Sequence, residues 1–262
     1  MKVVLFCGGL GLRLGDGANA IAKPMALVGQ RPILWHVMKY YSHFGHKDFI
    51  LCLGHKSAAI KDYFLHYSEA VSNDFVLSNG GRDLKLLQQD IEDWRVTFVE
   101  TGLHSTIGQR LRAVRAHLGD DEVFLANYSD GVTDLHLPTL IEEFHAGSFV
   151  GAVVCVRPPL SYHAVEIGKG SRVESVRPFS EVGPLINGGF FVLRRSVFDY
   201  YEDGEDLVVH AFPRLVPKGL LLGYHHTGFW ASMDTFKDKQ ALEELHLRGE
   251  APWELWRRGP QV

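Results

Sequence analysis

Cysteine is scarce. The 262 residues hold three, Cys7, Cys52 and Cys155, and no two stand at the close spacing of a zinc site or a redox pair. Each lies at or in an apolar, strand-like run, so the reading is three buried free thiols in a reducing, cytoplasmic setting. Long apolar runs are missing too. Nothing is long enough to span a bilayer, and the opening "MKVVLFCGG" has an apolar stretch too short for a signal peptide, one that ends in glycine. Basic charge is not in excess: 27 Lys and Arg stand against 31 Asp and Glu, for a net charge of −4. Bulk charge therefore offers no face for nucleic acid or an anionic membrane. Linkers, low-complexity segments and internal repeats are also lacking, which points to one domain over residues 1–262. What remains is ordinary for a soluble protein, 46% hydrophobic and 22% charged.

Short β-rich runs alternate with helical stretches. "VVLF", "DFILCLG", "RVTFVE" and "EVFLANYSDG" read as strands. "PILWHVMKYYSHF", "SAAIKDYFLHY" (with Ser57 as its cap) and "TIGQRLRAVRAHL" read as the helices between them. This alternation predicts an α/β fold, a Rossmann-like, mostly parallel mixed sheet with helices on both faces. "DFVLSNGGRDLKLLQQ" reads as an antiparallel hairpin insertion around Asn79-Gly80. After residue 148 strands dominate ("FVGAVVCV", "AVEIG", "RVESV", "GGFFVL"), then a helix "DLVVHAFPRLV", a strand "LLLGYHH" and a last helix "TFKDKQALEELHLRG". The spacing of Trp35, Tyr40 and Tyr41 places them in the core. Trp253 and Trp256 read as packing or subunit contacts.

"CGGLGLRLGDGANAIAKPM" follows the first strand. In a parallel sheet, ligands bind beyond the carboxyl ends of the strands. Gly8, Gly9 and Gly11 let backbone N–H groups turn inward on a phosphate, and Arg13 and Lys23 add positive charge. The loop is neither a P-loop, lacking Gly-Lys-Ser/Thr, nor a dinucleotide fingerprint, since Leu14 holds its third glycine position. Asp130 ends the fourth strand and Asp234 lies far off in "GFWASMDTFKDK". Taken singly, each reads as a turn or capping residue. Together with an anion loop they suggest carboxylates sharing Mg²⁺ for phosphoryl or nucleotidyl transfer. Fourteen histidines show no zinc-type spacing, and His225-His226 reads as a strand end at the surface.

"GGLGLRL…KPM", "GQRLRAV", "YSDGV", "INGGFFVL" and "GFWASMDTFKDK…APWELW" together resemble the sugar-phosphate nucleotidyltransferases, and among them the glucose-1-phosphate cytidylyltransferases. The likeness covers nearly the whole chain. It implies a fold of the nucleotide-diphospho-sugar transferase type, with residues 1–148 mainly for nucleotide and 149–262 mainly for sugar phosphate. It implies transfer from CTP to a sugar 1-phosphate with release of pyrophosphate, Mg²⁺ as cofactor, and a homo-oligomer. By the same resemblance the backbone of Leu5, Cys7, Gly8, Gly9, Leu10, Gly11 and Leu12 holds the nucleotide. Arg13 grips its β- and γ-phosphates, and Lys23 its α-phosphate. Thr101, Gly102 and Arg110 join that site, Asp130 and Asp234 bind Mg²⁺, and Asn187 and Gly188 line the sugar site.

The chain departs from the family pattern in places. Leu12 replaces a threonine that helps hold phosphate. The usual Glu-Lys-Pro is absent; "SVRPFSE" stands there, and Arg177 takes the lysine's place at the sugar phosphate. Glu181 is offset from the glutamate that binds sugar hydroxyls, and Tyr162-His163 replaces Phe-Gly, which puts both side chains at the acceptor. The nucleotide half is mostly kept and the acceptor half rebuilt. Two other readings stay open: the same chemistry on another sugar or cyclitol phosphate or another NTP, and a nucleotide- or sugar-nucleotide-binding protein without turnover.

Overall fold

The computed structural model describes residues 1–9, 22–158 and 162–257. An eight-stranded sheet runs through both halves of the chain. The strands β1 (Val3–Phe6), β2 (Asp48–Leu53), β3 (Arg95–Glu100) and β4 (Val123–Tyr128) are parallel, in the order β3–β2–β1–β4. Beyond β4 lies β8 (Phe191–Arg194), antiparallel to it, then β6 (Gly151–Val156), antiparallel to β8, and β9 (Leu221–His225), parallel to β6. The short β7 (Ile186–Asn187) pairs with the far end of β6. A separate two-stranded pair joins β5 (Gly131–Thr133) to β10 (Trp230–Ser232). The mixed, mostly parallel α/β sheet is the architecture the strand-helix alternation predicts.

The central strands β1, β2 and β4 are mostly apolar because both faces of the sheet are covered there. Val3 and Leu5 point into one core and Val4 and Phe6 into the other. Phe49, Leu51 and Leu53 alternate with Ile50 and Cys52 in the same way. The first core lies under α1 (Ile33–His43), α4 (Leu137–Ala146) and α5 (Phe236–Leu247), and holds the buried Tyr40 and Tyr41 on its α1 side; Trp35, also buried on α1, packs edge-on against Trp256 instead. The second lies under α3 (Ile107–Ala113). Thr106 and Gln109 close α3 with a capping box, and Thr235 and Asp238 do the same for α5.

Three local expectations change. Helix α2 (Ser57–Leu65) begins at Ser57, so its cap is Lys56, in left-handed conformation at φ 55°, and not Ser57. "AVEIG" and "RVESV" pair only with each other, as an exposed hairpin from His163–Ile167 to Val173–Pro178 outside the main sheet. The stretch expected as one helix from Asp206 divides into a π-turn (Leu207–Ala211), an α-turn (Phe212–Leu215) and a 3₁₀ turn (Val216–Lys218). Pro213 has no N–H to bond back into the preceding turn, which explains the break. The Asn79-Gly80 hairpin is present, with both residues left-handed. No described helix is long and apolar enough to cross a membrane.

The C-terminal segment docks through His36, which is buried on α1. Its Nε2 lies 3.0 Å from the Val28 carbonyl oxygen and so carries the proton. Its Nδ1 accepts from the Trp253 indole at 3.3 Å. Trp253 is fully buried and stacks on Phe229, which makes it a packing residue of its own chain. Glu254, 3.8 Å from Nδ1, is held instead by His246 and Arg257 at 2.8 Å each. Burial, with the charges of His246, Arg257 and Arg31 adding to it, lowers the His36 pKa to about 4 against the bond it donates to the Val28 carbonyl. The unfolded histidine takes a proton near pH 6.5, whereas the folded one resists to about 4. Stability conferred by neutral His36 is therefore lost as pH falls through that window, by about 2 kcal/mol between pH 7 and 5. Urea melts of His36→Gln should show a drop smaller by about that amount; an identical drop in both proteins refutes the assignment.

Candidate active site

The carboxyl ends of β1 and β4 lie side by side, because Phe6 pairs with Tyr128 in the parallel register. Gly8 therefore emerges beside Ser129 and Asp130, and the Ser129 hydroxyl ties the two ends together by donating to the Phe6 carbonyl at 3.0 Å. Asp234 reaches the same place by a second route. Ser232 of β10 sits opposite Gly131 of β5, and the Met233 N–H donates to the Asp130 carbonyl at 3.0 Å. One aspartate thus enters the small strand pair where the other leaves it, although 104 positions separate them in "YSDG" and "SMDT".

The two carboxylates meet at Lys23. Its Nζ pairs with Asp130 Oδ2 and with Asp234 Oδ1, the latter at 2.7 Å. Asp130 and Lys23 are largely buried, whereas Asp234 is 41% exposed. Burial raises the Asp130 pKa; the Lys23 charge opposes that and the Asp234 charge adds to it. Burial also works against the Lys23 ammonium, but the two carboxylates outweigh it and its pKa is raised. The Ser232 hydroxyl donates to Asp234 Oδ2 at 2.7 Å, and the Asp234 N–H bonds Asp238 at 3.1 Å. Among the described residues no third His, Cys, Asp or Glu completes a cluster of metal ligands. Two carboxylates gathered around one cation, here an ammonium, nevertheless suit a hard divalent ion whose other ligands are water and phosphate oxygens.

Arg110 backs the glycine turn. It is 5% exposed. Its Nη2 donates to the Gly8 carbonyl at 3.0 Å and to that of Leu103 at 3.4 Å, and its Nη1 to Thr101 Oγ1 at 2.8 Å and the Leu53 carbonyl at 3.2 Å. One guanidinium so fastens the segments that follow β1, β2 and β3. Among the described residues no carboxylate pairs with it, leaving a buried positive charge behind the turn. Thr101 also donates to the Leu53 carbonyl at 2.8 Å, and Gly102 is left-handed at φ 97°. Leu5 and Cys7 are buried; Leu5 lies within β1 between β2 and β4, and the Cys7 N–H donates to the Cys52 carbonyl at 3.0 Å, while burial pushes the Cys7 thiol up to about 12. Leu10, Gly11, Leu12 and Arg13 lie outside the described residues.

The acceptor candidates divide. Asn187 accepts from the Gly189 N–H at 2.8 Å and donates to the Tyr128 hydroxyl at 3.3 Å. The Gly188 carbonyl accepts from the Trp230 indole at 2.8 Å. "INGG" is thereby fastened to the ends of β4 and β10. Tyr162 is exposed and borders a cavity of about 790 Å³ together with Arg157, Ser180, Trp230, Ser232 and Lys237. His163 and Arg177 do not line it. Both lie on the exposed hairpin, where Arg177 pairs with Glu166 at 2.8 Å. Sequence reasoning passed over Arg157, Ser232 and Lys237. Ser232 and Lys237 flank Asp234 within five residues, so the neighbourhood of that aspartate was the available signal.

The nucleotidyl transferase family model matches residues 2–238. The chain is 40% identical over 261 residues to the glucose-1-phosphate cytidylyltransferase of Salmonella typhimurium, covering 98% of this chain and 100% of the relative. It is 35% identical over 258 residues to a probable glucose-1-phosphate cytidylyltransferase of Bacillus subtilis, covering 98% and 100%. The crystal structure of HddC from Yersinia pseudotuberculosis superposes with a TM-score of 0.64 at 19% identity, covering 94% of this chain and 99% of that one; this likeness speaks for the fold.

Proposed function

The chain belongs to the nucleotidyl transferase family, among the glucose-1-phosphate cytidylyltransferases, and from that premise we propose that it is a cytoplasmic, Mg²⁺-dependent enzyme that joins a sugar 1-phosphate, glucose 1-phosphate first among them, to CTP. The observation that carries the reading is the meeting of Asp130, Asp234 and Lys23 beside Gly8. In the reaction a phosphate oxygen of the sugar 1-phosphate attacks the α-phosphorus in line. One O–P bond forms, the bond from the α-phosphorus to its bridging oxygen breaks, and pyrophosphate leaves with the electron pair. The protein's share is positioning and charge. Gly8 and Gly9 offer backbone to the nucleotide, with Thr101, Gly102 and the buried Arg110 charge behind them. Lys23 serves the α-phosphate and Arg13 the outer phosphates. Asp130 and Asp234 hold the magnesium, which when bound supplies charge neutralisation across the triphosphate.

The acceptor side has a different support. Asn187 and Gly188 stand at the end of β4, and the cavity bordered by Tyr162, Arg157 and Lys237 adjoins Ser232, the hydroxyl on Asp234. Its volume, well above that of one hexose phosphate, favours keeping other sugar and cyclitol phosphates in view. The exposed pairing of Arg177 with Glu166 makes Arg177 the weaker choice for gripping the acceptor phosphate. Exposed apolar residues on both hairpins, among them Leu77, Leu84, Val165 and Ile167, support a homo-oligomer, which sedimentation can test. The deciding assay is pyrophosphate release over a panel of NTPs and sugar phosphates with Mg²⁺. CTP with glucose 1-phosphate should give the highest kcat/KM. A higher value for another pair reassigns the substrates, and CTP binding with no turnover on any acceptor sinks the enzymatic reading.

A further inference from the structure

The cation between Asp130 and Asp234 is a side chain of the protein itself, Lys23. We propose that Lys23 stands in for the divalent ion: its ammonium keeps the two carboxylates together, and it must leave them before the ion can enter. The inference rests on the nucleotidyl-transfer reading only for the identity of the anion that then receives the lysine. Asp130 and Asp234 would repel each other across a gap buried on the Asp130 side if nothing stood between them. Lys23 is joined to both, so the space a bridging ion needs is already taken, and two cations so close would repel in turn.

The backbone is built for a side-chain exchange. Lys23 opens the turn Lys23–Met25. Its carbonyl accepts from the Ala26 N–H at 3.1 Å, and the Ala22 carbonyl accepts from the Met25 N–H at 2.7 Å. Ala22, Pro24 and Ala26 are buried. The main chain is thus fastened on both sides of Lys23, and only its flexible four-carbon stem needs to swing. A triphosphate on the glycine turn is a competing partner for the ammonium. Whatever takes the lysine frees the carboxylates, so nucleotide and divalent ion favour each other's binding, and linkage makes the effect reciprocal.

Metal binding without nucleotide tests this, with Mn²⁺ as the probe followed by electron paramagnetic resonance. Lys23→Met should bind Mn²⁺ at least about tenfold tighter than the parent, a coupling of ordinary size. Lys23→Arg, which keeps the charge, should stay near the parent. Binding by Lys23→Met no tighter than the parent, or equal tightening by Lys23→Arg, overturns the proposal. The unmutated protein gives a second test that does not depend on a variant folding. Acetylation of its lysine amines, read by mass spectrometry, should label Lys23 faster at saturating Mn²⁺; an unchanged or slower rate also overturns it. Neither measurement uses turnover. An inactive substrate panel therefore leaves the lysine exchange standing, and failure of the exchange leaves the substrate assignment untouched.

Discussion

Asp130→Asn is expected to lower kcat by about 10³ while the protein melts within about 3 °C of the parent. The loss follows from what Asp130 does in the proposed site. It is the more buried of the two carboxylates proposed to hold the magnesium, and losing a cation's stabilisation of phosphoryl charge costs several kcal/mol, about 4 for a thousandfold effect. The small stability change follows from its surroundings. Burial already opposes the ionised form and raises the Asp130 pKa, so a neutral amide of the same shape gives up little. Lys23 keeps Asp234 as its partner at 2.7 Å. Asp234→Asn should move activity in the same direction. Turnover of Asp130→Asn within threefold of the parent would remove the carboxylate from the mechanism. A melting temperature lower by tens of degrees would recast it as a structural residue.

The parts legible in the sequence were those with local causes. Apolar runs of four to six residues gave the strands, because a strand buried on both faces has no polar positions to confuse its period. The glycines after β1 and the aspartate after β4 were legible because a parallel sheet delivers both to the same edge. The non-local parts were less so. That Asp130 and Asp234 converge depends on a register between two three-residue strands, Gly131 opposite Ser232, which no spacing announces. Their tie to Lys23 was not foreseen, since a lysine seen in sequence next to a phosphate loop reads only as a phosphate ligand. The hairpin His163–Ile167 to Val173–Pro178 has the composition of a sheet strand pair, and nothing in its pattern tells that it leaves the main sheet. The cap of α2 failed for a local reason: Lys56 adopts a left-handed conformation that sequence ordinarily assigns to glycine or asparagine.

Gly8→Ala should do the most damage for the smallest addition of atoms. A methyl at Gly8 would lie 1.9 Å from Arg110 Nη1 and 2.3 Å from its Cζ. The far end of a flexible side chain can usually step aside, but this one is buried and gives hydrogen bonds to Gly8, Leu53, Thr101 and Leu103. If the guanidinium moves, those bonds break, and each charged hydrogen bond is worth about 1.5–3 kcal/mol. If the backbone moves instead, the turn proposed for the triphosphate loses its shape. The expected result is a loss of about 3 kcal/mol or more in folding stability by urea titration, with a KM for CTP raised at least about tenfold. The cause is testable by a double-mutant cycle. Arg110→Leu alone takes this donor from the buried Gly8 carbonyl and should also be destabilising, but in its background the added methyl meets no guanidinium and should cost under about 1 kcal/mol more. Additive losses would mean that the methyl clashes with something other than Arg110. A Gly8→Ala protein with parental stability and parental KM for CTP would mean that the turn, and the buried charge behind it, do not form the nucleotide's seat.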